Sequence, residues 1–278
     1  MKLRSLLFVP GDRPERMAKA LGLGADALIL DLEDSVALPA KDTARAATAA
    51  FLRTADRTAR LFVRINPIDG DLAARDLDAI LDARPDAIVL PKAEGAASVQ
   101  ALAVRSGDIP IMPIATETPA AIFQLGSFAS VHDKLVGLTW GAEDLPAAIG
   151  ATTSRHEDGS YTPPYEIARA LTLFAAHAAG VAAIETVYPA FRDLDGLAAY
   201  AARARRDGFT GMMAIHPSQV AVINAAFQPT EAEIAHARAV IAAFENSASS
   251  GALQLDGKMI DAPHLAQARA ILAKSSAT

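Results

Sequence analysis

Along this chain, short runs of almost uninterrupted apolar residues alternate with longer stretches in which Ala, Leu, Arg and Glu recur at helical spacing. The apolar runs fall at 5–10, 27–31, 61–66, 87–91, 109–114, 135–140, 181–187 and 211–215. Strands without polar alternation are buried on both faces, as in a parallel sheet covered by helices. The stretch 164–179 is typical of what lies between: proline at its start and glycine at 180, the start and stop signals of a helix. Eight such units predict an α/β fold, a (β/α)8 TIM barrel. The alternative is an open, doubly wound sheet. Against it, PGDRPER follows the first strand, where a glycine-rich dinucleotide fingerprint would be expected.

The pattern changes after residue 228. One more helix is predicted over 229–246, then a Ser/Gly joint (SASSG, 247–251), a short apolar segment, a turn at Asp256 and Gly257, and a final helix. The chain is therefore expected to divide into a barrel domain, 1–228, and a C-terminal helical extension, 229–278, that packs on its own barrel or on an adjacent subunit.

Composition narrows the chemistry. With 278 residues, 51% hydrophobic and 21% charged, the chain can bury a large core. It has no cysteine, which removes disulfides, thiolate metal sites and a cysteine nucleophile. A net charge of -6 speaks against a broad nucleic-acid surface but leaves room for a local basic pocket. The apolar run at the N-terminus is too short for a signal peptide, and no window suits a membrane span, so a cytoplasmic protein is expected.

In a TIM barrel the site lies at the carboxyl ends of the strands. There the second strand, in LDLEDS, presents Asp31, Glu33 and Asp34. The third presents Arg64, the fourth Lys92, the fifth Glu117, the sixth Glu143 and Asp144, the seventh Glu185 and Thr186, the eighth His216. Gathered carboxylates repel unless a cation compensates them. An all-oxygen site of this kind suits Mg²⁺, which takes one or two carboxylates and keeps places for water and substrate oxygens. Glu117 and Asp144, each directly after a strand, are the candidate ligands. The competing reading pairs the same acids with Arg64 or Lys92 in a structural salt-bridge network. Arg64 likewise has two readings, partner of the acids or planar fork for a carboxylate or enolate oxygen. His216 is either a hydrogen-bonded histidine before a proline turn or a base. The acids near Lys92 would keep it charged, against Schiff-base chemistry. The polar loop 151–163 is a lid or an ordinary surface loop.

Taken in order, RSLLFVPG, LILDLEDSV, VRIN, LPKAE, ETP, GAEDL, AIETVY, GFTGMMAIHPSQ and GKMID resemble the citrate lyase beta-subunit-like and malyl-CoA lyase family of CoA-thioester lyases, over nearly the whole chain. The resemblance implies a TIM barrel in which Glu117 and Asp144 hold Mg²⁺, with Mn²⁺ an acceptable substitute, and Arg64 steadies the carbonyl and enolate oxygens. It implies that Asp261, in the C-terminal MID segment, is a catalytic acid lent by the adjacent subunit of a homo-oligomer, with trimers suggested. On this reading Glu33 and Asp34 sit beneath the metal, binding its waters or Arg64, and helix capping is their alternative. Arg4, Arg13 and Arg16 would form a cationic lip for coenzyme A, and Ile215, His216 and Pro217 would touch its pantetheine. Two departures are visible: Met212 where relatives often have Lys, and Glu185 where they often have Asp.

The implied reaction is Mg²⁺-dependent carbon–carbon cleavage of a malyl-, methylmalyl- or citramalyl-CoA type thioester to a 2-oxo acid and an acyl-CoA, run reversibly. The alternatives are a citrate lyase beta subunit acting on a citryl-acyl-carrier-protein thioester, a CoA-independent metal-dependent aldolase, and a barrel that only binds acyl-CoA.

Overall fold

The eight apolar runs pair into one parallel sheet in a computed structural model that describes residues 2–247 and 251–275. The strands are β1 (Ser5–Pro10), β2 (Ala27–Asp31), β3 (Arg60–Arg64), β4 (Ala87–Leu90), β5 (Ile111–Pro113), β6 (Gly137–Thr139), β7 (Ala182–Glu185) and β8 (Gly211–Ala214). They run in the order β5-β4-β3-β2-β1-β8-β7-β6. Two bridges, Ile111 with Leu135 and Ile114 with Thr139, join β5 to β6 and close the barrel, which excludes the open-sheet alternative. Val136 N donates to Ile111 O at 3.0 Å and Ala115 N to Thr139 O at 2.9 Å. Between these bonds lies Pro113, which has no N–H to give, so this seam is thinner than the other ladders.

Helices α1 (Pro14–Ala20), α2 (Lys41–Thr54), α3 (Asp71–Ile80), α4 (Ala96–Ser106), α5 (Pro119–Ile122), α6 (Leu145–Ile149), α7 (Pro163–Ala179), α8 (Leu194–Asp207) and α9 (Gln219–Ala226) alternate with the strands. The barrel interior is filled by alternate residues: Leu6 on β1, Ala27 and Ile29 on β2, Phe62 on β3, Ala87 and Val89 on β4, Met112 on β5, Ile184 on β7 and Met213 on β8. This period of two fixes which strand-tip residues face inward. Several predicted strands run past the paired ladder because the apolar character continues into residues that line the mouth, such as Ile114, Val187 and Ile215.

The described residues fall into two compact units, divided between Ala226 and Phe227. In the second, α10 (Glu231–Glu245) starts at a capping box: Thr230 Oγ1 accepts from Glu233 N, and Glu233 Oε2 accepts from Thr230 N. An antiparallel hairpin follows, β9 (Leu253–Leu255) and β10 (Lys258–Ile260). Its turn residues Asp256 and Gly257 are both left-handed, φ 50 and 74, the geometry that a two-residue hairpin favours. Then comes α11 (Ala262–Ser275). Ala237, Val240, Ile260 and Ala268 form this unit's own core. Of the predicted joint, residues 248–250 lie outside the described residues. No helix among the described residues is long and apolar enough to cross a membrane.

Candidate active site

A cavity of about 410 Å³ opens at the carboxyl ends of the strands. Phe8, Ile114 and Met213 give it apolar walls, while Asp31, Asp34, Arg64, Glu117, Glu143 and Asp144 supply its charge.

The inward file of β2 runs Ala27, Ile29 and then Asp31, and that of β3 runs Phe62 and then Arg64. Both tip residues consequently meet over the core. Arg64 Nε lies 2.7 Å from Asp31 Oδ1 and Nη2 lies 2.8 Å from Oδ2, a two-point fork. Burial alone would raise the Asp31 pKa, but the Arg64 hydrogen bonds and charge outweigh it and hold the carboxyl below its usual value. Burial works against the guanidinium charge too, and the hydrogen bonds and charge of Asp31 overcome it, so the Arg64 pKa is raised. The remaining nitrogen, Nη1, stands 2.9 Å from Glu33 Oε2 and 3.4 Å from Asp34 Oδ2. Asp31 completes this cluster; the sequence places it at the mouth with Glu33 and Asp34 but assigns it no role in holding Arg64.

Glu33 is buried, and its pKa is raised, chiefly by that burial, against the lowering charge of Arg64. Its Oε1 accepts from Lys92 Nζ at 3.0 Å. Its Oε2 is ion-paired yet accepts no well-directed hydrogen bond from the described residues. Lys92 Nζ also reaches Asp144 Oδ1 at 3.1 Å, so one ammonium, itself at the tip of β4, ties the acids of two other strand tips together. The Lys92 pKa is raised: burial opposes the charge, but the Glu33 bond and the surrounding acids prevail. Its backbone is left-handed, φ 51, which lets its N–H donate to Glu117 Oε2 at 2.6 Å.

Glu117 is almost wholly buried. Its pKa is pushed up to about 8, first by burial and further by the Asp144 charge, although the Lys92 N–H pulls it down. Asp144 stands at the start of the short α6 with its side chain making no cap bond to that helix. The two carboxylates face one cavity with a glycine beside them. A Cβ on Gly141 would come within 2.9 Å of Glu117 Cγ and 3.2 Å of its Oε1. Among the described residues no group of three or more acidic or histidine side chains could surround a metal. The donor set is two carboxylates in a cavity with space for other oxygens, which fits Mg²⁺ and not a cage-type Ca²⁺ or Zn²⁺ site.

Other expected residues lie elsewhere. Arg4 is a correction: it precedes β1, at the end of the barrel opposite the mouth, and its guanidinium binds Asp26 Oδ1 and Oδ2 at 2.8 and 2.9 Å. It is not available to a cofactor lip. Glu185 is another correction. Its neighbour Ile184 faces the interior, so Glu185 points outward, where it takes bonds from Trp140 Nε1 at 2.5 Å and Arg169 Nε at 2.7 Å. Met212, likewise outward on β8, is fully buried. Arg13 lies just past β1 on the mouth side, half exposed and 3.5 Å from Asp12. Ile215 lines the cavity, whereas Pro217 and His216 are exposed, the His216 ring stacked 4.9 Å from that of Phe191. In the loop 151–163, Arg155 stacks over Tyr161, which holds it as a closed turn. Asp261 belongs to the second unit, where His264 Nδ1 is 2.5 Å from its Oδ1.

The barrel and its charged mouth fit an enzyme of the aldolase and lyase class, and the family match gives that class. The HpcH/HpaI aldolase/citrate lyase family model matches residues 4–217, and the chain belongs to that family. A (3S)-malyl-CoA thioesterase of Cereibacter sphaeroides is 38% identical over 277 residues, covering 99% of this chain and 95% of its own. A citrate lyase subunit beta-like protein of Mycobacterium tuberculosis is 39% identical over 97% of this chain and 94% of its own. The crystal structure of the protein CitE from that organism, in complex with magnesium, acetoacetate and coenzyme A, superposes with a TM-score of 0.87 at 38% identity, covering 98% of both chains.

Proposed function

We propose that this protein cleaves a short 3-carboxy-3-hydroxyacyl-CoA of the malyl-, methylmalyl- or citramalyl-CoA type, with Mg²⁺, into a 2-oxo acid and an acyl-CoA, and runs the condensation in reverse. The observation that carries the reading is the placement of Glu117 and Asp144 in one cavity with the clamped guanidinium of Arg64. Magnesium and coenzyme A in the superposed relative support it.

Glu117 and Asp144 would hold the metal, whose charge makes the substrate hydroxyl easier to deprotonate. Breaking the bond between C2 and C3 turns the alcohol into the carbonyl of the oxo acid and leaves the electron pair on the thioester enolate. Arg64, fixed by Asp31 with Glu33 and Asp34 around it, sets its positive charge against that developing anion, usually the largest source of rate. Asp261, brought by an adjacent subunit of a homo-oligomer, a trimer in this reading, donates the proton that the enolate carbon takes. Arg13, Ile215, His216 and Pro217 serve the coenzyme A arm.

A second reading is favoured by the Cereibacter relative: hydrolysis of the malyl thioester. Incubation of the purified protein with (3S)-malyl-CoA and Mg²⁺ separates the two. Glyoxylate with no free thiol supports cleavage, whereas malate with free coenzyme A thiol and no glyoxylate assigns the site to hydrolysis.

A further inference from the structure

Lys41 opens α2 and is buried. A cation in the first turn opposes the helix dipole, so the helix itself gives no reason for a lysine there. All three of its N–H donors are used: Nζ lies 2.6 Å from Leu32 O, 2.7 Å from Glu33 O and 2.9 Å from Asn66 Oδ1. Asn66 closes the VRIN segment and is fixed in turn. Its backbone N and its Nδ2 both donate to Asp76 Oδ2 at 2.7 Å, and Nδ2 also donates to Leu32 O at 3.0 Å. Asp76 Oδ1 takes Arg45 Nε at 2.7 Å. Buried lysine is uncommon, and here two of its bonds fasten the carbonyls of the loop that carries Glu33 and Asp34. Within the same loop the Asp31 carboxylate takes the Glu33 and Ser35 N–H groups at 2.9 and 3.0 Å.

We propose that Lys41 is a positioning residue for the reaction above: it fastens this loop so that the Glu33 carboxylate meets Arg64 on one oxygen and Lys92 on the other. The inference rests on Arg64 opposing the enolate in that reaction. Glu33 Oε2 stands 2.9 Å from Arg64 Nη1, and Oε1 accepts from Lys92 Nζ at 3.0 Å, so a shift of the loop disturbs both cations. With its two carbonyls released, the loop is free to turn and Glu33 leaves Nη1. The guanidinium then keeps its fork to Asp31 but loses the contact that fixes its third nitrogen. A displaced guanidinium opposes the developing enolate less well, and that loss falls on the transition state rather than on substrate binding.

The test uses the intact protein at saturating Mg²⁺ with (3S)-malyl-CoA. Lys41→Met keeps a long side chain and loses the donors; Lys41→Gln, neutral but still a donor, is the second variant. Thermal melts show which of them folds. In a folded variant kcat should fall about tenfold or more, with KM within about twofold of the wild type. Glu33→Gln should lower kcat as well, and the double variant of Lys41→Met with Glu33→Gln should be no slower than Glu33→Gln alone, because both changes act on one contact. A lysine that only stabilises the fold would leave kcat of the folded enzyme alone or multiply the two losses. Wild-type kcat in a folded Lys41 variant overturns the proposal, as do losses that multiply in the double variant or the failure of both Lys41 variants to fold. Arg64→Lys, run alongside, separates the two levels. If it is crippled while folded Lys41→Met turns over normally, only the Lys41 assignment fails; if it turns over normally, the Arg64 assignment fails and this one with it.

Discussion

Asp31 and Arg64 end two neighbouring inward files of the barrel and meet in a two-point ion pair, 2.7 and 2.8 Å long, at the cavity wall. The pair is buried, so removing one partner strands the other. Asp31→Ala should cost about 3–5 kcal/mol of stability, read from denaturant unfolding. Arg64→Lys keeps a charge but loses the planar fork, and should lower kcat by about a hundredfold or more, read in steady-state cleavage of (3S)-malyl-CoA.

Glu117 sets a pH dependence with a definite sign. Its carboxyl is raised from an ordinary 4.5 to about 8, so in the metal-free protein it stays protonated through neutral pH. A group raised in the folded state adds stability that is full below its unfolded pKa and is lost as pH rises through the folded one. The metal-free protein should therefore lose this contribution between pH 4.5 and about 8. Mg²⁺ must displace that proton, so its affinity should climb about tenfold per pH unit below the raised pKa and flatten above it. Calorimetry in buffers of different ionisation enthalpy measures the proton released.

Gly141 leaves the space that the Glu117 side chain occupies. Gly141→Ala would press a methyl to within 2.9 Å of Glu117 Cγ, with Ile114 Cγ2 at 3.3 Å beside it, so the carboxylate must shift. Mg²⁺ affinity should drop about tenfold or more, since a displaced ligand costs more than the added methyl gains. Titration of the folded variant checks this.

Glu185 belongs to the barrel wall. With Trp140 and Arg169 on its oxygens and no access to the cavity, Glu185→Ala should cost about 3–5 kcal/mol while leaving Mg²⁺ affinity in place. Unfolding and metal titration on the same sample separate the two effects.

These residues also show what the chain discloses before it folds. Apolar runs without alternation, spaced by helical stretches, specify a parallel barrel, because only burial on both faces accounts for them. The strand tips name the acids and bases of the mouth. Which way each tip points follows from the period of two: Ala27, Ile29 and Asp31 share a face, whereas Glu185 takes the face opposite to Ile184. Counting back from the tips would have paired Asp31 with Arg64 and set Glu185 aside. Arg4 is misplaced for a simpler reason, since it comes before its strand and so lies at the wrong end. The Lys92 bridge between Glu33 and Asp144 was hidden, because it joins residues far apart in sequence through a left-handed turn that no glycine announces.

Everything proposed for this site turns on Glu117 and Asp144 holding the divalent ion that the cleavage would need. The decisive measurement is glyoxylate formation from (3S)-malyl-CoA, followed against Mg²⁺ concentration in the wild type and in folded Glu117→Gln and Asp144→Asn. In the wild type, chelation should abolish turnover and Mg²⁺ restore it, with both variants needing far more metal or failing to respond. Unchanged turnover and unchanged Mg²⁺ dependence in the two variants would contradict that assignment.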